Sequence, residues 1–529
     1  MSFELDTTAH RPFHRPGDEP FQHPVGHMHA HGLAQYSPKA AEAFSFPSKP
    51  ESKHSVSPLL FQTPQPPLSS TCPQRWPGID AESTKMLLKV LEDNHSRWHI
   101  FFNYKGFHNH AAHHLLAIWA MGASAKIIFS AYETHCVYQR PAFDSPSPYS
   151  DFFVLELGKK GFARTFEEFV FAPSANYLAE PPPEDGHPEM LSRFIGGLLH
   201  PMIHTGYGAE FGLLGMSAEG LAMTAVHPAK MHALLPPSDF SSPLKSGTMH
   251  ALSILALVAK DERFEHVKMM DDLDMLTMTV SSYDEALRAY AQMWEFDVAN
   301  KEGVAKAVEE LAWFNSIIYG VGGIAKDTFS ADFFLMHLVT STLFFPSLVT
   351  SLYQNPRAQA LLLRSFFAVS LARYLSRGRP TLDIAKFYRD TSRLLPSSGL
   401  DVIPGPQPSP FENTLPDKNS PEARTPNSWL SIIQTTLVHP NEHLCKVERA
   451  LAHFASLYGL RGQGWFATRK QASVATNNSK LEDVERDMGL GKLDGTLFLR
   501  VAMLTAHTLG WMREGQREEG WDYEGFYDK

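Results

Sequence analysis

From Asp80 onward, apolar residues recur at helical spacing, most clearly in AESTKMLLKVLEDNHSRWHIFF, where Asp80 is placed to cap the first turn. The segment HNHAAHHLLAIWAMG continues the pattern, with His110, His113, His114 and Ala117 along one stripe and Gly122 as the stop. Further helical patterns cover 188–199, 217–226, 249–258, 284–293, 301–314, 332–352, 357–375, 429–437, 445–458 and 495–512. Strand-like alternation is confined to two short runs, 152–157 and 273–280. The pattern predicts an all-α chain: one large multi-helix domain over residues 79–529, with few or no strands.

Two stretches break the periodicity. Residues 1–78 hold 13 of the 38 prolines and four histidines between His23 and His31, which predicts a disordered extension whose histidine tract binds metal only adventitiously. Residues 404–426 carry seven prolines and no helical pattern, and are expected to form a surface loop within the helical domain. No repeat of 20 to 50 residues is present, which argues against a helical solenoid.

Composition narrows the partners. With 43% hydrophobic residues the 529-residue chain can bury a large core, and a net charge of −10 without a basic run argues against a nucleic-acid surface or a polybasic membrane patch. A small molecule or another protein is the expected partner. Cys72, Cys136 and Cys445 are too few and too widely spaced for a disulfide framework or a C-x-x-C site. The first residues do not read as a secretory signal, and the apolar run 333–351 is broken by His337, Thr340, Ser341, Thr342, Pro346 and Ser347, as in a buried helix. A cytoplasmic location is expected.

The chemistry lies in the 26 histidines, several of them inside helical patterns. His110 and His114 are four apart in FHNHAAHHLLA, so two imidazoles of one helix could face a shared ion. HPMIHTGYGAEF repeats the spacing with His200 and His204, followed by Gly206, Tyr207, Gly208 and Glu210, where the glycines suggest a sharp turn. His337 is a lone imidazole in an apolar helix, and HPNEHLCK places His443 and Lys446 one turn apart. A single buried histidine is more often a hydrogen-bonded core residue than a ligand, so the metal reading requires that these blocks converge. An imidazole-rich shell suits Fe, Zn, Cu or Ni, and iron is the useful choice for oxygen chemistry. Glu210, Asp332 and Glu442 are the candidate carboxylates, while Lys446 could serve as a ligand only as the neutral amine or a carbamate. Arg377, Gly378, Arg379 and Pro380 read as a helix terminus.

Gly320–Gly323 and Gly459–Gly464 lack the spacing and flanking strand of a dinucleotide site, and there is no P-loop or nucleophile elbow. The blocks NHSRWHIFFNYKGFHNHAAHHLLA, HPMIHTGYGAEF, DFFLMHLVTSTLF, ARYLSRGRPTL and HPNEHLCKVERALAHFASLYG together resemble the questin oxidase family of fungal secondary metabolism, in the family's order from about Lys85 to the C-terminus. The resemblance implies an oxidoreductase that uses O2, with NADPH, to open a ring of an anthraquinone or related aromatic polyketide. A non-haem Fe(II) held by His110, His114, His204, His337 and His443 is the expectation, with Tyr207 and Lys446 orienting substrate oxygens. Two other readings stay open: a metal-free NADPH-dependent Baeyer–Villiger-type oxidase with histidine general bases, and a non-catalytic helical binding or scaffold protein.

Overall fold

A computed structural model describes residues 60–103, 106–142, 148–178, 186–242, 244–264, 272–326, 328–395, 403–470 and 479–527. The extension expected over 1–78 therefore lies outside the described residues as far as 59. Residues 60–78 are packed on the helices. Leu60 and Phe61 are buried in the core, and the Leu60 carbonyl accepts the Gly215 amide while the Trp76 amide donates to Ala120.

Polar side chains at the helix starts satisfy amides that would otherwise lack partners. Asp80 accepts the Ser83 amide at 2.7 Å, and Ser83 Oγ in turn accepts the Asp80 amide, opening Ala81–Arg97. Asp332 caps Phe333–Thr342 through the amides of Phe334 and Leu335, and Asn441 caps Glu442–Tyr458 through that of His443. Gly122 ends Ala111–Ala120 at φ +90, where a Cβ would lie 2.4 Å from the Pro77 carbonyl oxygen.

Both runs expected as strands are helical. In Pro148–Lys160, Phe153 and Leu157 are buried while Phe152 and Leu155 are 41% and 60% exposed, which is the i, i+4 stripe of a helix. Asp272–Met293 buries Met275, Leu276, Thr279 and Val280 in the same way. Among the described residues, β pairing is limited to isolated bridges. The pattern read as one helix over 332–352 is two, Phe333–Thr342 and Phe345–Ser351, bent by 45°. No single described helix is long and apolar enough to cross a membrane. Residues 403–426 are irregular apart from the four-residue helix Pro421–Arg424.

The Glu442–Tyr458 helix organises the centre. It packs against Ala111–Ala120, Phe333–Thr342, Ser428–Val438 and Leu497–Leu509, and from His443 to Phe454 every side chain is buried, charged ones included. A helix surrounded in this way is usually apolar, so its His443, Lys446, Glu448 and Arg449 mark a site built inside the core. His200–Phe211 lies against Leu214–Val226 at close range, because a Cβ on Gly208 would meet Ser217 and one on Gly220 would meet Thr205. The expected Gly206–Gly208 turn is thus continuous helix, and its glycines serve helix contact.

A carboxyl away from this centre sets one pH dependence. Buried Glu310 accepts the Ala251 amide and Trp294 Nε1, both at 2.9 Å, and burial raises it to about 7. Between about 4.5 and 7 the native chain keeps a proton that the unfolded chain releases, so this contribution is full below 4.5 and lost as pH rises through 7. Glu310→Gln keeps an acceptor and removes the titration. Urea unfolding should show the stability change across that window shrinking by roughly 3 kcal/mol.

Candidate metal centre

Four helical segments bring imidazoles to one buried point. His110 stands at the start of Ala111–Ala120, His200 begins His200–Phe211, His337 lies in Phe333–Thr342 and His443 in the first turn of Glu442–Tyr458. His110, His200 and His443 each offer a nitrogen within 4.8 Å of the others. The His337 ring lies 5.0 Å from that of His200 and 5.1 Å from that of His443, centroid to centroid.

The proton positions follow from the acceptors. His200 Nδ1 is 2.9 Å from the Gly197 carbonyl and His337 Nδ1 is 2.7 Å from that of Phe333, so both rings carry the hydrogen on Nδ1 and leave an Nε2 lone pair. Glu442 Oε1 lies 3.2 Å from His443 Nδ1, which favours the same choice there, and 3.6 Å from His110 Nδ1, beyond hydrogen-bond reach. The Nε2 atoms of His110 and His200 are 2.7 Å apart, a separation that a hydrogen bond from His110 to the His200 lone pair or a cation held by both would satisfy. His337 Nε2 is buried without a hydrogen bond. Metal–nitrogen bonds of about 2.0–2.1 Å place neighbouring ligand nitrogens roughly 3 Å apart, close to the His110–His200 separation.

Electrostatics agree with this arrangement. Burial, reinforced by repulsion from Lys446 and the neighbouring rings, holds His110, His200 and His337 well below the usual histidine range, so they are neutral. Burial opposes ionisation of Glu442 as well, but His443, His135 and Lys446 outweigh it and keep the carboxyl well below its ordinary value. Lys446 Nζ is fully buried, has no hydrogen bond, and is lowered to about 8 by burial against the pull of Glu442.

The remaining residues singled out in the sequence fall beside this point. His204 Nδ1 meets His113 Nε2 at 3.0 Å and its Nε2 meets Glu219 at 2.7 Å, with His95 on the other carboxylate oxygen. His114 turns away to His135, 3.0 Å distant, which in turn meets the Tyr138 hydroxyl at 2.5 Å. The Tyr207 ring stacks on His113 at 5.3 Å and its buried hydroxyl makes no hydrogen bond of ordinary geometry. Glu210 is paired with Arg449, and Asp332 with Arg377 at 2.8 Å, which leaves Glu442 as the carboxylate at the centre. His200 and the supporting His108, stacked on it at 4.3 Å and bonded to His227 at 2.8 Å, are the members the expected ligand set omits. The four-residue spacing of His200 and His204 marks their shared helix but not which of them reaches His110.

A buried set of neutral imidazoles on an all-helical scaffold can hold a transition metal. The chain belongs to the questin oxidase-like family, whose model matches residues 107–451 and so includes all four converging histidines and Lys446. The oxidoreductase AflY of Aspergillus parasiticus is 24% identical over 453 residues, covering 77% of this chain and 80% of that protein. A Baeyer–Villiger monooxygenase, AacuH of Aspergillus aculeatus, is 28% identical over 350 residues, 58% of this chain and 71% of its own. Questin oxidase of Aspergillus terreus is 24% identical over 394 residues, 68% and 78% of the two chains. Membership of this family carries oxidoreductase-type activity.

Proposed function

We propose that this protein uses O2 to open a ring of an anthraquinone or related aromatic polyketide, at a non-haem Fe(II) held by His110, His200, His337 and His443. The observation that carries the reading is the buried triad of His110, His200 and His443, whose nitrogens lie within 4.8 Å of one another, with the His337 ring about 5 Å from two of its rings. The names of the relatives support the reaction class, and NADPH would keep the quinone reduced.

Iron would supply the means of bringing dioxygen and an electron-rich ring to reaction. The chain's own groups prepare the place. Glu442 orients His443 and lies close to His110, and the carbonyls of Gly197 and Phe333 fix His200 and His337. Lys446, buried among them, would add a donor as the free amine or as the carbamate formed when Nζ bonds CO2 and releases a proton. Tyr207 would turn its buried hydroxyl to a substrate oxygen. His114 and His204, included in the ligand set expected from spacing, serve other partners in this arrangement.

A second reading has its own observation: the His113–His204–Glu219 chain is a carboxylate-backed imidazole of the kind that serves as a general base. One experiment separates the two. Purified protein should contain about one iron per chain, lose oxygen uptake on chelation, and regain it with Fe(II). Full activity in protein without stoichiometric transition metal would leave the metal-free reading in its place.

A further inference from the structure

We propose that a small apolar cavity beside His337 is the docking site for molecular oxygen; this deepens the oxygen-using reading above and rests on it. The cavity lies where Asp272–Met293, Phe333–Thr342 and Pro356–Ser376 meet the segment before His200. Ile195, Leu198, Leu199, Leu276, Leu338 and Val369 wall it, and the His337 ring closes one side. It gives the centre of a water-sized guest about 10 Å³, which is room for a single small molecule.

The walls decide which molecule. A buried water needs two to four polar partners. Here the polar lining is the His337 imidazole and Arg373, whose guanidinium lies over the Phe334 ring at 5.4 Å, so a water would have at best the minimum number of partners. A nonpolar diatomic needs no hydrogen bond and fits the same space, whereas a fused aromatic ring system does not. The site is therefore selective by size and polarity, and it touches the converging imidazoles through His337, whose Nε2 has no hydrogen bond.

Backbone strain falls at the same place. Gly197, Leu198 and Leu199 are consecutively left-handed, at φ +53, +55 and +65. For leucine this conformation is unfavourable, and such strain persists where the surrounding structure holds it. It brings both leucines into the cavity wall while the Gly197 carbonyl fixes His200. One strained turn thus shapes the gas pocket and orients a neighbouring imidazole.

Xenon is the probe, since it enters dry apolar cavities without chemistry. Xenon-129 NMR on the full chain should show one saturable site, lost in Val369→Phe and strengthened in Leu276→Ala. During oxygen uptake with an anthraquinone and NADPH, xenon should inhibit the wild-type protein competitively against oxygen and not against the anthraquinone. Val369→Phe should raise KM for oxygen at least fivefold without changing that for the anthraquinone. Absence of a xenon site, or xenon binding that leaves KM for oxygen unchanged, overturns the proposal, and the wild-type inhibition pattern stands as a test if Val369→Phe fails to fold. A flat oxygen trace with active turnover removes the oxygen-using reading itself, an outcome distinct from both.

Discussion

His200→Ala protein should purify with little bound metal and lose at least a thousandfold in oxygen-dependent turnover. His200 supplies one of the three nitrogens that lie within 4.8 Å of one another, and its Nε2 is 2.7 Å from His110 Nε2. Removing it leaves two rings of that triad and a void at the start of a buried helix. His114→Ala is the matched control, a buried histidine of the same block whose partner is His135. It should cost stability through a lost hydrogen bond and a cavity, and retain its metal. Metal content per chain, measured beside the thermal melting curve, separates the two effects. Equal metal loss in both variants would contradict the geometry.

The contrast between these residues shows how far the sequence carries. Periodicity and caps were legible: Asp80, Gly122 and the apolar stripes predict helices where they occur. The short runs 152–157 and 273–280 misled because a few apolar residues in succession satisfy either period, and the burial of Phe153 with Leu157 is a tertiary outcome. The blocks that hold the site were also legible, since His110, His337, His443 and Lys446 all stand out as unusual residues in apolar helices. What spacing could not give was direction. His110 sits at the helix end and turns to His200, while His114, a full turn on, faces Tyr138 through His135. His200 and His204 are likewise one turn apart, yet the left-handed turn before His200 gives it a carbonyl partner that His204 does not share.

Carboxylates were harder still, because a buried acid looks the same in sequence whether it serves a ligand, a cap or an ion pair. Asp332 is engaged twice, as the cap of Phe333–Thr342 and as the partner of Arg377, whose Nη2 also donates to the Tyr523 carbonyl. The Arg-Gly terminus is therefore structural in its chemistry, tying the C-terminal segment to the helix that carries His337. Glu442 was one of three candidates, and its neighbours, His443 on its own helix and His110 at the start of another, select it.

Breaking the Glu210–Arg449 pair should cost a large share of the stability of the protein. Both side chains are almost wholly buried, and two guanidinium nitrogens face the two carboxylate oxygens, with Nη1 to Oε2 at 3.1 Å. Burial raises the Glu210 carboxyl even with Arg449 opposing it, so the acid is held ionised only by its partner and by Arg75 farther off. Arg449→Met removes that support and should cost about 3–5 kcal/mol near neutral pH, because an isolated carboxylate is left in the core. The sign with pH follows. In the variant the folded carboxyl is raised further, so its stability is fullest below the unfolded value and is lost as pH rises; the deficit against wild type should shrink on acidification toward 4.5. Adding Glu210→Gln should recover most of the loss at neutral pH. Denaturant unfolding of the three proteins at two pH values tests the argument, and a deficit independent of pH and unrelieved by the second substitution would mean that the loss comes from packing around Phe211, over which the Arg449 guanidinium lies at 5.4 Å.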